Sequence, residues 1–264
     1  MLADKGNSLG GAAANGLVNP FAPMRTMIDG KYTQLNAGVF AEILDELRKF
    51  DAVNISGTVF NEEYLKLVLN RMAVSSGVNL LYHAYLSKVN TQDGLVKSVE
   101  FATKSGLLTF EANIFIDATG DADLAYGAGC PVHLGRNEDN LCQPMTMCFR
   151  MANVDVKKFI RENKKINELY KKHQEEGKIK NPRENVLVFP TLTEDVLHLN
   201  STRVCKLNPV DAFDLTKAEI EVREQVFELY FFLRDNFDFC KNATLSMTAS
   251  AIGVRESRMV VGEY

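Results

Sequence analysis

The sequence predicts an α/β fold that carries an antiparallel insertion, and three stretches predict it. The first is residues 113–125, where Ile114, Phe115 and Ile116 read as a short buried strand that stops abruptly at Asp117-Ala118-Thr119-Gly120-Asp121. Small residues at the carboxyl end of a parallel strand let a ligand approach the backbone, and open α/β sheets bind ligands at that end. Gly120 adds access to positive φ. A buried strand followed by an ordinary turn reads equally well from these residues alone. The second is helical spacing over residues 35–50 and 62–75, and the third is an Asp93-Gly94 hairpin signal between apolar runs.

Size and charge narrow the function classes. The chain has 264 residues, 46% of them hydrophobic, and a formal net charge of −4. That length supports one or two domains with a sizeable core. No apolar run is long enough to span a bilayer, and Lys5 interrupts any apolar targeting core, so no membrane association is expected. The mild acidity and the lack of a basic face argue against nucleic acid as a partner. Cys130, Cys142, Cys148, Cys205 and Cys240 show no CxxC spacing, which gives no support to a metal or iron–sulfur site. Scattered thiols of this kind suit a reducing, cytoplasmic setting.

Taken in order, the chain opens with a segment too short for a full strand, then Leu9-Gly10-Gly11-Ala12-Ala13-Ala14, a small-residue loop entering a helix or tight turn. Such residues suit close packing or approach to a phosphate, although no GxGxxG precedes them. Val39, Phe40, Ile43, Leu44 and Leu47 give the first helix its apolar face. Asn61 is placed to cap the second, whose buried stripe reads Tyr64, Leu65, Val68, Leu69 and Met72. Residues 78–89, 96–103 and 107–111 read as strands, the three runs forming a meander that feeds the strand at 113–120. Residues 144–151 read as a further strand and 154–176 as a charged, solvated helix. Residues 186–193 and 196–204 form a hairpin. Thr216-Lys217-Ala218-Glu219 has the form of a capping box opening a helix to about residue 236, with Ile220, Val226, Phe227, Tyr230 and Phe231 inward.

With these segments in hand, the chain resembles the FAD-dependent oxidoreductases of the glutathione-reductase-like two-dinucleotide-binding fold, in the branch grouped as heterodisulfide reductase A-like. Six collinear segments carry the resemblance: 9–20, 115–123, Gln143-Pro144-Met145-Thr146, Asn200-Ser201-Thr202-Arg203-Val204, 214–219 and 253–258. It implies an incomplete FAD-binding, Rossmann-like domain at residues 1–140, an α+β substrate cap at 141–249 and a return segment at 250–264. It also implies that the first strand and its GxGxxG helix lie before Met1, so that the chain is read as truncated at both ends and is expected to bind FAD weakly or not at all by itself.

The resemblance assigns roles as well. Asp4, followed by Lys5, falls at the family acid that holds the adenosine ribose. Gly10 and Gly11 pass near the flavin side, Ala84 or Tyr85 meets adenine through backbone, and Thr119, Gly120 and Asp121 lie against the pyrophosphate or ribose. Gln143, Arg203 and Arg255 are the candidates that face the isoalloxazine or the substrate. For Arg255, Glu256 and Arg258 an internal ion-pair network at a domain seam is an equal reading. The implied activity is hydride or electron transfer between FAD and a small-molecule substrate, with an electron-transfer partner. An iron–sulfur cluster follows only from the heterodisulfide reductase kinship. A non-catalytic remnant or partner-binding domain without cofactor stays open as the alternative.

Overall fold

The structure is a computed structural model that describes residues 1–21 and 25–262. Glu263 and Tyr264, the end of the expected return segment, lie outside the described residues. The chain is mixed α/β. Strand β1 (Leu2–Ala3) is followed by the short helix α1 (Gly11–Ala14) and a hairpin of β2 (Arg25–Ile28) and β3 (Lys31–Gln34). That hairpin turns on Asp29-Gly30, both at positive φ, the same signal that marks Asp93-Gly94. Helices α2 (Val39–Arg48) and α3 (Glu62–Ser75) then pack together. Strand β4 (Leu80–Leu81) pairs in parallel with β1.

The antiparallel insertion forms as expected. Strands β5 (Tyr85–Gln92), β6 (Leu95–Thr103) and β7 (Gly106–Glu111) make a three-stranded meander, with Asp93 and Gly94 both at positive φ in its first turn. Helix α4 (Asp123–Gly127) packs on β5 so closely that a Cβ on Gly127 would meet Val89 Cγ2 at 2.6 Å. Then come β8 (Val132–Leu134), β9 (Phe149–Ala152), α5 (Val156–Glu175), β10 (Val188–Pro190), β11 (Leu197–Leu199), α6 (Ala212–Asn236), β12 (Thr244–Thr248) and β13 (Arg258–Val260). Strands β10, β11, β9 and β12 form a four-stranded antiparallel sheet in that order, and β13 pairs with β8.

Alternation decides the two faces of the four-stranded sheet. Phe149, Met151, Leu197 and Leu199 are buried on one face, in a core shared with Phe159, Ile166 and Tyr170 of α5 and Val222, Val226 and Leu229 of α6. Arg150 and His198 are register partners on the other face. A second, smaller core joins α2 and α3 through Leu44, Leu47, Phe60, Leu65 and Val68. Leu17, from the first part of the chain, is buried in the larger core, and Asn15 O accepts hydrogen bonds from Ser250 N at 3.1 Å and Ser250 Oγ at 2.9 Å.

Several local expectations are corrected. Residues 114–118 form no strand and pair with none among the described residues, and Ile114 and Ile116 are 79% and 84% exposed. The run that reads as one strand over 78–89 is split into β4 and β5, because His83 adopts a positive φ and donates to Gly6 O. In α3, Asn61 caps as expected, its side chain accepting from the Glu63 and Tyr64 amides, but Tyr64 itself lies outward. Only the second half of residues 144–151 is a strand, while Met145 and Thr146 form isolated bridges to Val204 and Gly253. The capping box at Thr216 does not open α6. The helix begins one turn earlier, where the Asp211 side chain accepts from the Phe213 and Asp214 amides, and the Thr216 hydroxyl donates to Ala212 O inside the helix. Its inward face is Ala218, Val222, Val226, Leu229 and Leu233, so Ile220, Phe227 and Phe231 point outward.

Candidate functional site

Three distant parts of the sequence meet at one place. After β1 the backbone continues beside β4: Asp4 N donates to Leu81 O at 2.9 Å, and Asp4 O accepts from Ala84 N at 3.0 Å. The Asp4 carboxylate takes Gly6 N on Oδ1 at 2.6 Å, and Oδ2 makes no hydrogen bond among the described residues. A Cβ on Gly6 would sit 3.0 Å from Asp4 Oδ1, so a side chain there would crowd the carboxylate. Lys5 Nζ lies 3.4 Å from Asp121 Oδ2, and Ser257 Oγ donates to Asp121 Oδ1 at 2.8 Å. Asp4, Lys5, Ala84, Gly120 and Asp121 are thus neighbours, joined by the Ser257 segment.

The turn at 117–125 is built by its own side chains. Asp117 Oδ1 accepts from Thr119 N and Oγ1, and Oδ2 accepts from Ala125 N at 2.9 Å. Burial, the largest single influence, pushes the Asp117 carboxyl up, but the hydrogen bonds together outweigh it and hold the group below its ordinary range. Thr119 Oγ1 in turn accepts from the amides of Asp121 and Asp123. The Thr119 hydroxyl and both Asp121 oxygens are therefore occupied within the protein. Gly120, at φ 80°, and Gly11, at φ 46°, have nothing within 4 Å of the place a Cβ would take, so both present open backbone. Gly10 is different: a Cβ there would meet Ala14 Cβ at 2.7 Å and Leu69 Cδ1 at 3.2 Å, which makes it a packing glycine against α3. No hydrogen bond among the described residues joins Gly10 or Gly11 to Thr119–Asp121.

Gln143, Arg203 and Arg255 are brought onto three adjoining segments. Val204 and Gly253 pair with Met145 and Thr146 respectively, and Gln143 N donates to Glu256 Oε2 at 2.7 Å. Arg203 is clamped at both backbone ends by Gln225, and its guanidinium pairs with Glu184. Arg183, which the sequence pattern does not single out, joins this group: its Nε lies 4.0 Å from Glu184 Oε2. Burial above all, then the neighbouring Arg203 cation, with a smaller push from Arg255, holds Arg183 below the ordinary guanidinium range, against the opposing Glu184 and Tyr170. Arg255 makes no hydrogen bond or ion pair among the described residues. Arg258 belongs to an internal network instead, pairing with Asp123, donating to Asp121 O at 2.9 Å and lying 4.6 Å over the Tyr126 ring.

A second polar cluster lies on the outer face of the four-stranded sheet. Glu62, at the start of α3, is buried and pairs with Arg150 of β9, and Asn19 Nδ2 donates to the same carboxylate at 2.8 Å. The sequence shows Glu62 only as a first-turn acid. Its inward turn depends on Asn19 and Arg150, which are far away in sequence. His198, 1% exposed, has neither ring nitrogen hydrogen-bonded among the described residues, and burial, reinforced by the Arg150 cation, pushes it down to about 4. An open cleft of about 230 Å³ lies beside this cluster, lined by Phe60, Asn61, Arg150, Thr193 and Met247 among others. Cys148 and Cys240 are pushed up to about 12 by burial, so neither thiol is available as a nucleophile. Among the described residues no three His, Cys, Asp or Glu side chains come together to hold a metal, and no helix is long and apolar enough to cross a membrane.

The family model of the FAD dependent oxidoreductases matches residues 1–264, and the chain belongs to that family. Among solved structures it is similar to p-nitrophenol 4-monooxygenase from Pseudomonas putida, at 10% identity and a TM-score of 0.43 over 77% of this chain and 44% of that one. It is similar to the FAD complex of glycerol-3-phosphate dehydrogenase from Bacillus halodurans, at 11% identity and a TM-score of 0.44 over 81% and 40%. A myxobacterial chondrochloren halogenase, a FAD-dependent enzyme, matches at 11% identity and a TM-score of 0.44 over 93% and 52%. The chain therefore spans about half the length of these proteins or less, and likenesses this loose carry no argument about chemistry. No curated protein matches the chain.

Proposed function

We propose that this chain binds FAD along the crevice between Asp4–Gly11 and Gly120–Asp121 and presents a small-molecule substrate to it from the side of Gln143, Arg203 and Arg255. The reading follows the glutathione-reductase-like, heterodisulfide reductase A-like branch of the family, with residues 1–140 and 250–264 as the cofactor side and 141–249 as the substrate cap. Bound FAD supplies the hydride or electron chemistry. The single observation that carries the proposal is the Lys5–Asp121–Ser257 clasp, which gathers segments more than 100 residues apart at one place.

The residues present fit a dinucleotide. Asp4 keeps one carboxylate oxygen uncommitted for ribose hydroxyls, and Ala84 stands beside it with its amide already tied to Asp4 O. Gly11 and Gly120 offer backbone with no side chain in the way. Thr119 and Asp121 act by shaping: their oxygens fix the turn and leave the Gly120 backbone for a ligand. Lys5, more than half exposed, brings a cation to the crevice that suits a diphosphate. The test is a titration of FAD followed by flavin fluorescence. Asp4→Ala is expected to weaken binding ten- to hundredfold, a loss of ~1.5–3 kcal/mol for a charged acceptor. Unchanged affinity removes the ribose assignment, and a wild-type chain that leaves free FAD unperturbed removes the function.

A further inference from the structure

The arginine group beside the cap sheet goes further than the proposed function on which it rests, because it names the substrate class. Glu184 bridges two arginines with one oxygen each: Oε1 takes Arg203 Nη1, and Oε2 lies 4.0 Å from Arg183 Nε. Both arginines are tied down through their backbones, while the Glu184 side chain is the most exposed of the three. Arg203 is held by Gln225 through its amide at 2.7 Å and its carbonyl at 2.9 Å, and Arg183 N donates to the buried Asn181 side chain at 3.1 Å. The side chains of Arg183 and Arg203 are 19% and 25% exposed, whereas that of Glu184 is 70% exposed. Arg255 adds a third cation without a carboxylate of its own. Three guanidiniums thus gather here, Arg203 and Arg183 pairing with Glu184 and Arg255 near enough to add its charge to the surroundings of Arg183.

We infer that Arg183, Arg203 and Arg255 form the seat of a substrate carboxylate, that the substrate is an organic acid, and that Glu184 fills the seat until the substrate displaces it. A planar carboxylate spanning two guanidiniums is the arrangement the chain already displays with its own side chain, and guanidinium forks match that plane. Because Glu184 is exposed at the surface, exchanging it for an external carboxylate costs little desolvation.

Calorimetry with succinate and benzoate on the wild-type chain tests this, with inorganic phosphate and succinamide as comparison probes. Succinate or benzoate is expected to bind and succinamide not to bind. Glu184→Gln removes the internal competitor and is expected to tighten carboxylate binding at least threefold, a gain that damage to the fold would not produce. Arg255→Gln, on an exposed side chain that can change without loss of folding, is expected to weaken it about tenfold. No carboxylate binding by the wild type or by Glu184→Gln, no tightening in Glu184→Gln, or phosphate binding as tight as succinate would each overturn the inference. FAD titrated in parallel separates the two readings. Normal FAD binding without carboxylate binding sinks this inference alone, and carboxylate binding without FAD binding sinks the proposed function alone.

Discussion

The four-stranded sheet and the segment at 113–120 both carry bulky apolar residues, yet they bury them to opposite degrees. In the sheet, Phe149, Met151, Leu197 and Leu199 are fully enclosed because α5 and α6 cover that face. At 113–120 the chain forms no strand, and Ile114 and Ile116 face outward with no partner strand among the described residues. An apolar pattern specifies what a strand would bury, while the neighbours decide whether it buries it.

The comparison can be broken most directly at the sheet. Glu62→Ala strands Arg150 in a largely buried position and is expected to cost about 3–5 kcal/mol in chemical denaturation. The paired exchange of Glu62→Leu with Arg150→Met should recover much of that loss. Phe149→Ala is expected to cost a similar ~3–5 kcal/mol through its cavity. A loss below about 1 kcal/mol in either would mean the sheet is not the better-built region.

Acid offers the next test. His198 titrates at about 4 in the fold against 6.5 unfolded, so its lowered value favours the fold fully above pH 6.5, and that share is lost as pH falls toward 4. The loss should approach about 3 kcal/mol over that window. His198→Leu should flatten the stability profile between pH 6.5 and 4, and an unchanged profile would show that other groups govern acid sensitivity.

Two smaller effects sharpen the contrast. Asn61→Ala removes the cap of α3 and should cost about 1 kcal/mol, read as a drop in thermal midpoint. Ile114→Ala and Ile116→Ala should change stability by no more than about 0.5 kcal/mol, since nothing covers either side chain. A loss of about 2 kcal/mol at Ile116 would show that a partner buries this segment in solution.

What the sequence made legible follows the same division. The helices α2, α3 and α5, the meander with its Asp93-Gly94 turn and the hairpin of β10 and β11 rest on local spacing and turn chemistry, which the chain carries in any context. Asp29-Gly30 carries the same turn signal, unread in the sequence because its flanking runs are short and polar. The outward side of α6 is hard to read from sequence because the helix carries apolar residues on more than one side, Ile220, Phe227 and Phe231 as well as Ala218, Val222, Val226 and Leu229. The site divides likewise. The family resemblance singles out Asp4, Ala84 and Asp121, which the fold brings near one another, whereas Arg150 beside His198 and Arg183 beside Glu184 and Arg203 become noticeable only once distant segments meet.

Glu62 has an evolutionary consequence. Its carboxylate serves Asn19 and Arg150 together, inside the protein and away from water. Neither position 62 nor position 150 can drift alone without leaving a charge stranded, so homologous chains should show the two changing as a linked pair, acid with base or apolar with apolar. Lineages in which one is exchanged while the other persists should be rare, and should carry a substitute counter-ion at position 19.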